Sequence, residues 1–302
     1  MTLLISALPG NEALTQGLAR HLNADIAPLE MRNFPDGEFY IRNLREIDGR
    51  ELAIVCTLDR PNEKLIGAYL AAASARELGA RRVGLIAPYL SYMRQDKRFK
   101  PGEAISSRHV ARLLSSTFDW LVTVDPHLHR YKDLQEIYTV PTRVANAASL
   151  LSRWITENIA QPVIIGPDSE SQQWVSAVAA ASGAPYTVME KTRRGDRDVE
   201  VTFRDVASIT GRTPVLVDDI ISTGRTMAQA ARALKRHGLS ATICLAIHGV
   251  FTGDAYELLA AEGATVVTCN TVQHPSNRID LTDRIAEAVA AVRAGAESTA
   301  RC

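Results

Sequence analysis

The chain has 302 residues, 46% hydrophobic and 23% charged. That is the balance of a globular protein of about two domains, and it argues against a disordered, collagen-like or disulfide-stapled chain. Lysine plus arginine and aspartate plus glutamate each number 34, so no global basic field points to nucleic acid, while small phosphorylated ligands need only local positive charge.

No apolar run reaches the roughly 18 residues of a membrane span. The opening MTLLISALPG has neither the basic leading segment nor the apolar length of a signal peptide. The expectation is a cytoplasmic protein with no membrane partner. Of the four cysteines, Cys56, Cys244 and Cys269 sit inside apolar runs and none forms a CxxC pair, which reads as buried reduced thiols in a reducing compartment.

Along the chain, short apolar runs alternate with longer Ala-rich segments at helical spacing. The predicted order is strand Leu3–Ser6, helix Glu12–His21, strand Leu52–Cys56, helix Asn62–Leu78, strand Val83–Ala87, helix Ser107–Ser115 and strand Trp120–Val124. It continues with helix Ala145–Asn158, strand Val163–Ile165, helix Ser171–Ala181, strand Val215–Val217, helix Thr226–His237, strand Thr242–Ile247, helix Ala255–Ala261 and strand Thr265–Cys269. Strands that are almost wholly apolar are covered on both faces, and the alternation predicts an α/β fold with mainly parallel sheets. Asp36–Arg42, and the pair Tyr186–Glu190 with Val199–Phe203, are read as antiparallel additions. Ala75–Tyr92 and Arg232–Phe251 echo each other: a helix ends at Gly79 or Gly238, and an apolar strand follows. Two similar halves, 1–141 and 142–302, are expected, with the last helix packing back on the first.

The sharpest segment is PVLVDDIISTGRTM at Pro214–Met227. An apolar strand ends in Asp218-Asp219, and a Ser/Thr/Gly loop then opens a helix. Open α/β sheets bind ligands at the carboxyl ends of their strands, and a helix N-terminus is a ready anion site. Ser222, Thr223, Gly224, Arg225 and Thr226 can therefore wrap a phosphate while the two carboxylates reach sugar hydroxyls or a metal. No Walker loop occurs in the chain. Elsewhere, RQDKRFK is a positive cluster that suits a triphosphate or a solvated loop equally well, and His127 stands at the end of the apolar strand DWLVTV, after Asp125-Pro126.

The phosphate segment resembles the 5-phosphoribosyl diphosphate loop of phosphoribosyltransferases and ribose-phosphate pyrophosphokinases. NFPDGE at Asn33–Glu38, PYLSYMRQDKRFKPGEAIS at Pro88–Ser106, TVDPHLHR at Thr123–Arg130, GPDSE at Gly166–Glu170 and EKTR at Glu190–Arg193 occur in the order of the pyrophosphokinases and span nearly the whole chain. The RFKPGEAIS and DDIISTG spellings are closer to the archaeal type. The resemblance implies two phosphoribosyltransferase-like domains, pseudo-twofold related, each a mainly parallel sheet flanked by helices. It also implies transfer of the diphosphoryl group of Mg-ATP to ribose 5-phosphate, giving 5-phosphoribosyl 1-diphosphate and AMP. A phosphoribosyltransferase consuming that product, or a non-catalytic regulatory relative, is the alternative.

The resemblance places ATP contacts on Phe34, Asp36, Gly37, Glu38, Arg94 and Gln95. It places ribose 5-phosphate contacts on Asp218, Asp219 and the Ser222–Thr226 loop, magnesium (Mg2+) contacts on His127 and Asp168, and catalytic roles on Lys191 and Arg193. His129 is read as supporting, because imidazole suits zinc better than magnesium. Lys191–Arg197 is expected to be a mobile loop between strands. The chain departs from the family pattern at Ser169-Glu170-Ser171, where a Gly pair is usual, and at Arg225, where the family has a second Gly. A dimer-based homo-oligomer with shared ATP sites is implied.

Overall fold

A computed structural model describes residues 2–194, 198–202, 211–239 and 241–299; at 173, 190–194, 198–202 and 296–299 only the backbone is described. The chain divides into two compact units. One runs to Asn146 and takes up the chain again from Thr282; the other is Ala147–Leu281.

The first unit contains β1 (Leu4–Ala7), α1 (Glu12–Leu22), β2 (Asp25–Ile26), β3 (Leu29–Asn33), β4 (Phe39–Asn43), β5 (Glu51–Val55), α2 (Pro61–Glu77), β6 (Arg82–Ala87), α3 (Ser106–Thr117), β7 (Trp120–Val124) and β8 (Thr142–Ala145). Its six-stranded sheet has the order β2-β1-β5-β6-β7-β8, every pair parallel. β3 and β4 form a separate antiparallel hairpin.

The second unit contains α4 (Ala148–Asn158), β9 (Pro162–Gly166), α5 (Gln172–Ser182), β10 (Tyr186–Val188), β11 (Glu190–Arg194), β12 (Asp198–Thr202), β13 (Thr213–Ile221), α6 (Arg225–Arg236), β14 (Ile243–Gly249), α7 (Ala255–Ala261), β15 (Thr265–Cys269) and β16 (Asn277–Ile279). Its parallel sheet has the order β10-β9-β13-β14-β15-β16, and β11 pairs with β12 in an antiparallel hairpin. Each unit therefore runs its second strand to the sheet edge, inserts a hairpin, and then lays down four strands in order.

The repeat extends to the backbone. Gly79 and Gly238 have φ of 86° and 81°, and at the same distance beyond each stands a positive-φ aromatic residue, Tyr92 at 62° and Phe251 at 40°. Positive φ is rare for a bulky L-residue, so two at matching positions mark the same turn out of the same strand.

The strands are buried on both faces, and on one face of each sheet the apolar side chains form a core cluster. Leu4, Leu52, Ile54, Leu85 and Leu121 belong to one, and Val163, Ile165, Leu216, Leu234 and Cys244 to the other. Cys56, Cys244 and Cys269 are buried free thiols, and burial pushes the first two up to about 12. No helix among the described residues is long and apolar enough to cross a membrane.

Four expectations are corrected. Asp36–Glu38 form a turn, not the start of a strand, because Phe34 N–H bonds the Glu38 carbonyl at 2.7 Å and closes the hairpin there. Tyr186–Val188 is a parallel edge strand on β9, and the antiparallel partner of Asp198–Thr202 is Glu190–Arg194. Lys191 and Arg193 thus lie on a strand and not in a loop; Phe203 and the tip 195–197 lie outside the described residues. Residue 145 ends β8, and the helix expected from it begins at Ala148.

The final helix, α8 (Thr282–Thr299), packs on α1, β7 and β8 of the first unit. Its anchor is Glu51, 3% exposed. Oε1 accepts the Trp120 indole N–H at 3.0 Å, Oε2 accepts from Arg293 Nε at 3.0 Å, and Arg82 lies 3.6 Å away. Gly84 makes room for this, since a Cβ there would overlap the Trp120 ring. Glu51→Ala should destabilise the protein by about 3 kcal/mol, the low end for breaking a buried pair because both arginines keep some solvent. Chemical denaturation measures this, and hydrogen exchange should show α8 opening first.

Candidate active site

In the second unit, β13 carries the chain past the point where its apolar run stops. Asp218 pairs in register with Ala246, and Ile221 with Gly249, so both acids lie within the strand. Asp219 is 4% exposed, and Asp218 is half-buried and accepts the Asp219 N–H at 3.0 Å. Burial, then the charges of Asp219 and Asp168, push the Asp218 carboxyl well above the ordinary aspartate value.

The loop that follows turns on Gly224, which has φ of 68° at the N-cap of α6; a Cβ there would crowd the Ala255 carbonyl. The first-turn N–H groups of α6 have no intrahelical acceptor and the dipole favours an anion. Thr223 and Arg225 are exposed, and Ser222 and Thr226 half-buried. The loop is backed from one side, where Thr252 N–H bonds the Ser222 carbonyl at 2.9 Å. Phe251, Tyr256 and His274 cluster beside it, Tyr256 edge to face with each of the others and Phe251 tilted by 40° to His274.

Asp168 follows β9. Its carboxylate accepts the Glu170 N–H at 3.1 Å and its own N–H reaches Ser171 Oγ at 3.5 Å, so the Ser-Glu-Ser departure forms a capping box, with the Ser171 hydroxyl also donating to the Asp168 carbonyl at 2.6 Å. Asp168, Asp218 and Asp219 supply hard oxygen donors whose mutual repulsion a divalent cation would relieve. No cage of three or more His, Cys, Asp or Glu occurs among the described residues. The chemistry fits magnesium, which takes one or two carboxylates and completes its shell with water and phosphate oxygens. Lys191 and Arg193 stand opposite Val201 and Val199 on the β11–β12 hairpin; their side chains lie outside the described residues.

In the first unit, the β3–β4 hairpin presents an exposed tip. Gly37, with φ of 95°, bonds the Phe34 carbonyl at 2.9 Å, and the Asp36 carboxylate accepts the Glu38 N–H at 3.2 Å. Pro35 and Gly37 suit the second and fourth positions of such a turn. Phe34 is 41% exposed, and Arg32 stacks 5.0 Å from its ring and 4.3 Å from that of Tyr40. A cavity of about 740 Å³ opens between this hairpin and α2, lined by Met31, Asn33, Glu38, Phe39 and Ile66 among others.

Arg94 and Gln95 lie in the loop after β6. Met93 and Asp96 on either side are buried, and Arg94 is exposed. His127 follows Asp125, whose φ of 28° turns the chain out of β7 and whose carboxylate accepts from Asn146 at 3.1 Å. The His129 ring packs 4.1 Å from that of His127.

The model for the N-terminal domain of ribose phosphate pyrophosphokinase matches residues 3–117, and the phosphoribosyl transferase domain model matches residues 133–282. A ribose-phosphate pyrophosphokinase of Methanopyrus kandleri is 36% identical over 95% of this chain and 98% of its own. The chain belongs to the ribose-phosphate pyrophosphokinase family. Another pyrophosphokinase, from Saccharolobus solfataricus, is 35% identical over 86% of this chain and 89% of its own. The solved phosphoribosylpyrophosphate synthetase of Mycobacterium smegmatis superposes with a TM-score of 0.84 at 27% identity, covering 99% of this chain and all of that one. The α/β architecture of two phosphoribosyltransferase-like domains is that of the family.

Motif reading passed over the residues that fix the motifs in place. Asp96, Glu103 and Arg130 bond within and across the loop between β6 and α3, and Phe251 N–H bonds the Ile221 carbonyl beside the Ser222–Thr226 loop. The signals were an acid inside a basic run and an aromatic after Gly249, both too common to weigh alone.

The raised Asp218 carboxyl gives a prediction with a definite sign. A carboxyl whose folded value lies above its unfolded value opposes the fold once ionised, so its relative stabilisation is present at low pH and lost as pH rises through the folded value. Asp218→Asn should therefore raise the melting temperature of the ligand-free protein at neutral pH, with the gain shrinking as pH falls through that value. Thermal melts across a pH series test this. Binding of ribose 5-phosphate should weaken far more than binding of Mg-ATP, which separate titrations resolve.

Proposed function

We propose that this chain transfers the diphosphoryl group of Mg-ATP to the anomeric hydroxyl of ribose 5-phosphate, yielding 5-phosphoribosyl 1-diphosphate and AMP. The observation that carries the reading is the preformed cradle Ser222–Thr226 on the N-terminus of α6, set directly after two carboxylates on the same strand. That arrangement suits a sugar phosphate: N–H groups and Arg225 for the phosphate, Asp218 and Asp219 for the hydroxyls.

The ribose hydroxyl oxygen bonds the β-phosphorus while the bond from that phosphorus to the α–β bridging oxygen breaks, and the electron pair leaves with AMP. The hydroxyl proton goes to solvent or to Asp218, whose proton affinity is raised. Magnesium would neutralise triphosphate charge, and the family resemblance assigns metal contacts to Asp168 and to His127. Phosphoryl-type transfer depends mainly on positioning and charge stabilisation, the role given to Lys191 and Arg193. The buried free thiols suit a reducing, cytoplasmic setting.

The ATP site is proposed to be shared within a dimer-based homo-oligomer, the exposed Phe34–Glu38 tip of one copy reaching Arg94, Gln95 and His127 of another. Mixing an Asp36→Ala with an Arg94→Ala protein should then restore part of the activity that each lacks; a fully active monomer at assay dilution would overturn the arrangement. The central test is release of AMP from Mg-ATP and ribose 5-phosphate by the wild-type protein. No release would leave the phosphoribosyltransferase or regulatory alternative. Lys191→Ala should lower kcat by about 10²–10³-fold, as for loss of one preorganised electrostatic donor, with apparent affinities little changed. Lys191→Arg should recover only part, because a planar fork does not replace a compact ammonium.

A further inference from the structure

The loop between β6 and α3 packs Arg94, Lys97, Arg98 and Lys100 into seven residues. Like charges at that density repel, so something must hold the loop. Part of the answer is local. The Glu103 carboxylate accepts the N–H groups of Phe99 and Lys100 at 2.7 and 3.0 Å, with Gln95 Nε2 at 3.5 Å, and its carbonyl accepts from Arg98 at 2.9 Å. These bonds close the loop on itself but fix it to nothing else.

The external anchor is Asp96. Its side chain is 2% exposed, and Arg130 Nη1 meets its carboxylate at 2.7 Å. The Asp96 carbonyl accepts the Tyr131 hydroxyl at 3.3 Å, and that hydroxyl pairs with Ser107 Oγ at 3.1 Å. Arg130 also lies 5.6 Å from the Phe99 ring centroid, and Lys97 lies 5.1 Å from it. A buried carboxylate is costly unless charge-paired, and Arg130 is the cation that the described residues offer it. Arg130 stands three residues after His127, on the other segment of the unit to which the family resemblance assigns a site residue.

We infer that Asp96 and Arg130 are positioning residues that strut the Arg94–Gln95 loop against the His127 segment, setting the spacing at which the nucleotide triphosphate is received. The inference rests on the proposed diphosphokinase reading. Because the strut touches nucleotide-facing elements alone, its loss has a selective signature. A misplacement of about 1 Å can cost 10²-fold. Arg130→Met should raise KM for ATP about 10-fold or more, and weaken binding of a non-hydrolysable Mg-ATP analogue in proportion, while KM for ribose 5-phosphate changes less than about 2-fold. Arg130→Lys, which keeps the charge, should recover part of the ATP affinity. Since Arg130→Met leaves a buried carboxylate unpaired, the uncharged pair Asp96→Asn with Arg130→Gln is measured alongside, with the same selective rise in KM for ATP expected. A purely structural role would lower kcat with the unfolded fraction and leave both KM values alone. Unchanged KM for ATP in both variants, or equal rises for the two substrates, would overturn the inference. Failure of the wild type to release AMP would instead overturn the reading beneath it.

Discussion

Parallel pairing is the constraint on which the rest of this molecule depends. In both sheets every neighbour runs the same way, so each strand must be followed by a crossover that returns the chain to the starting edge. The helices that make those crossovers cover both faces, and the strands are correspondingly apolar throughout. One further result is fixed by this geometry: within each unit all loops leaving strand C-termini gather at one edge. The phosphate cradle, Asp168, the Arg94–Gln95 loop and the His127 segment each leave such a strand end. The opposite edge of the first sheet carries Glu51 with its tryptophan and arginines, a cluster that serves cohesion and does not take part in the proposed chemistry.

The two candidate regions handle charge in opposite ways. Beside the Ser222–Thr226 loop, carboxylates accumulate, and burial with the charges of Asp219 and Asp168 pushes the Asp218 carboxyl upward. Around Arg94 the excess is positive; Asp96 is ion-paired with Arg130, and the Glu103 carboxylate accepts the backbone N–H groups of Phe99 and Lys100. Arg94 itself is left exposed with no described hydrogen bond or ion pair. Carboxylates are crowded at the first region and cations at the second, an imbalance of the kind that functional sites tolerate.

The apolar crossover pattern was legible because it is local. α7 and β15 fall where the sequence places them, and the other helices shift by only one or two residues at most ends, save the start of α4. What escaped reading depends on partners far along the chain. β13 continues through Asp218 and Asp219 because β14 pairs with it there, although the apolar run stops at Val217. β11 is polar and shows no alternation, and its extended backbone depends on antiparallel pairing with β12, from Glu190 opposite Thr202 to Arg194 opposite Asp198. Edge strands as short as β2 and β16 carry too few residues to form a pattern. The site motifs themselves were readable from their order, whereas the contacts that hold them, such as Arg130 on Asp96, join residues 34 apart and leave no mark in either segment.

The repeated topology has a consequence for how the halves divide their work. The turn in the first unit that occupies the place of the phosphate cradle is Cys56–Arg60, leading into α2. There Pro61 stands at the helix start and supplies no N–H, and Asp59 is already ion-paired with Lys64. An incoming phosphate would meet a missing donor, a resident carboxylate and a lysine already engaged. The same position thus disfavours an anion in the first unit and suits one in the second, so two copies alike in topology differ in charge and in free donors at matching turns.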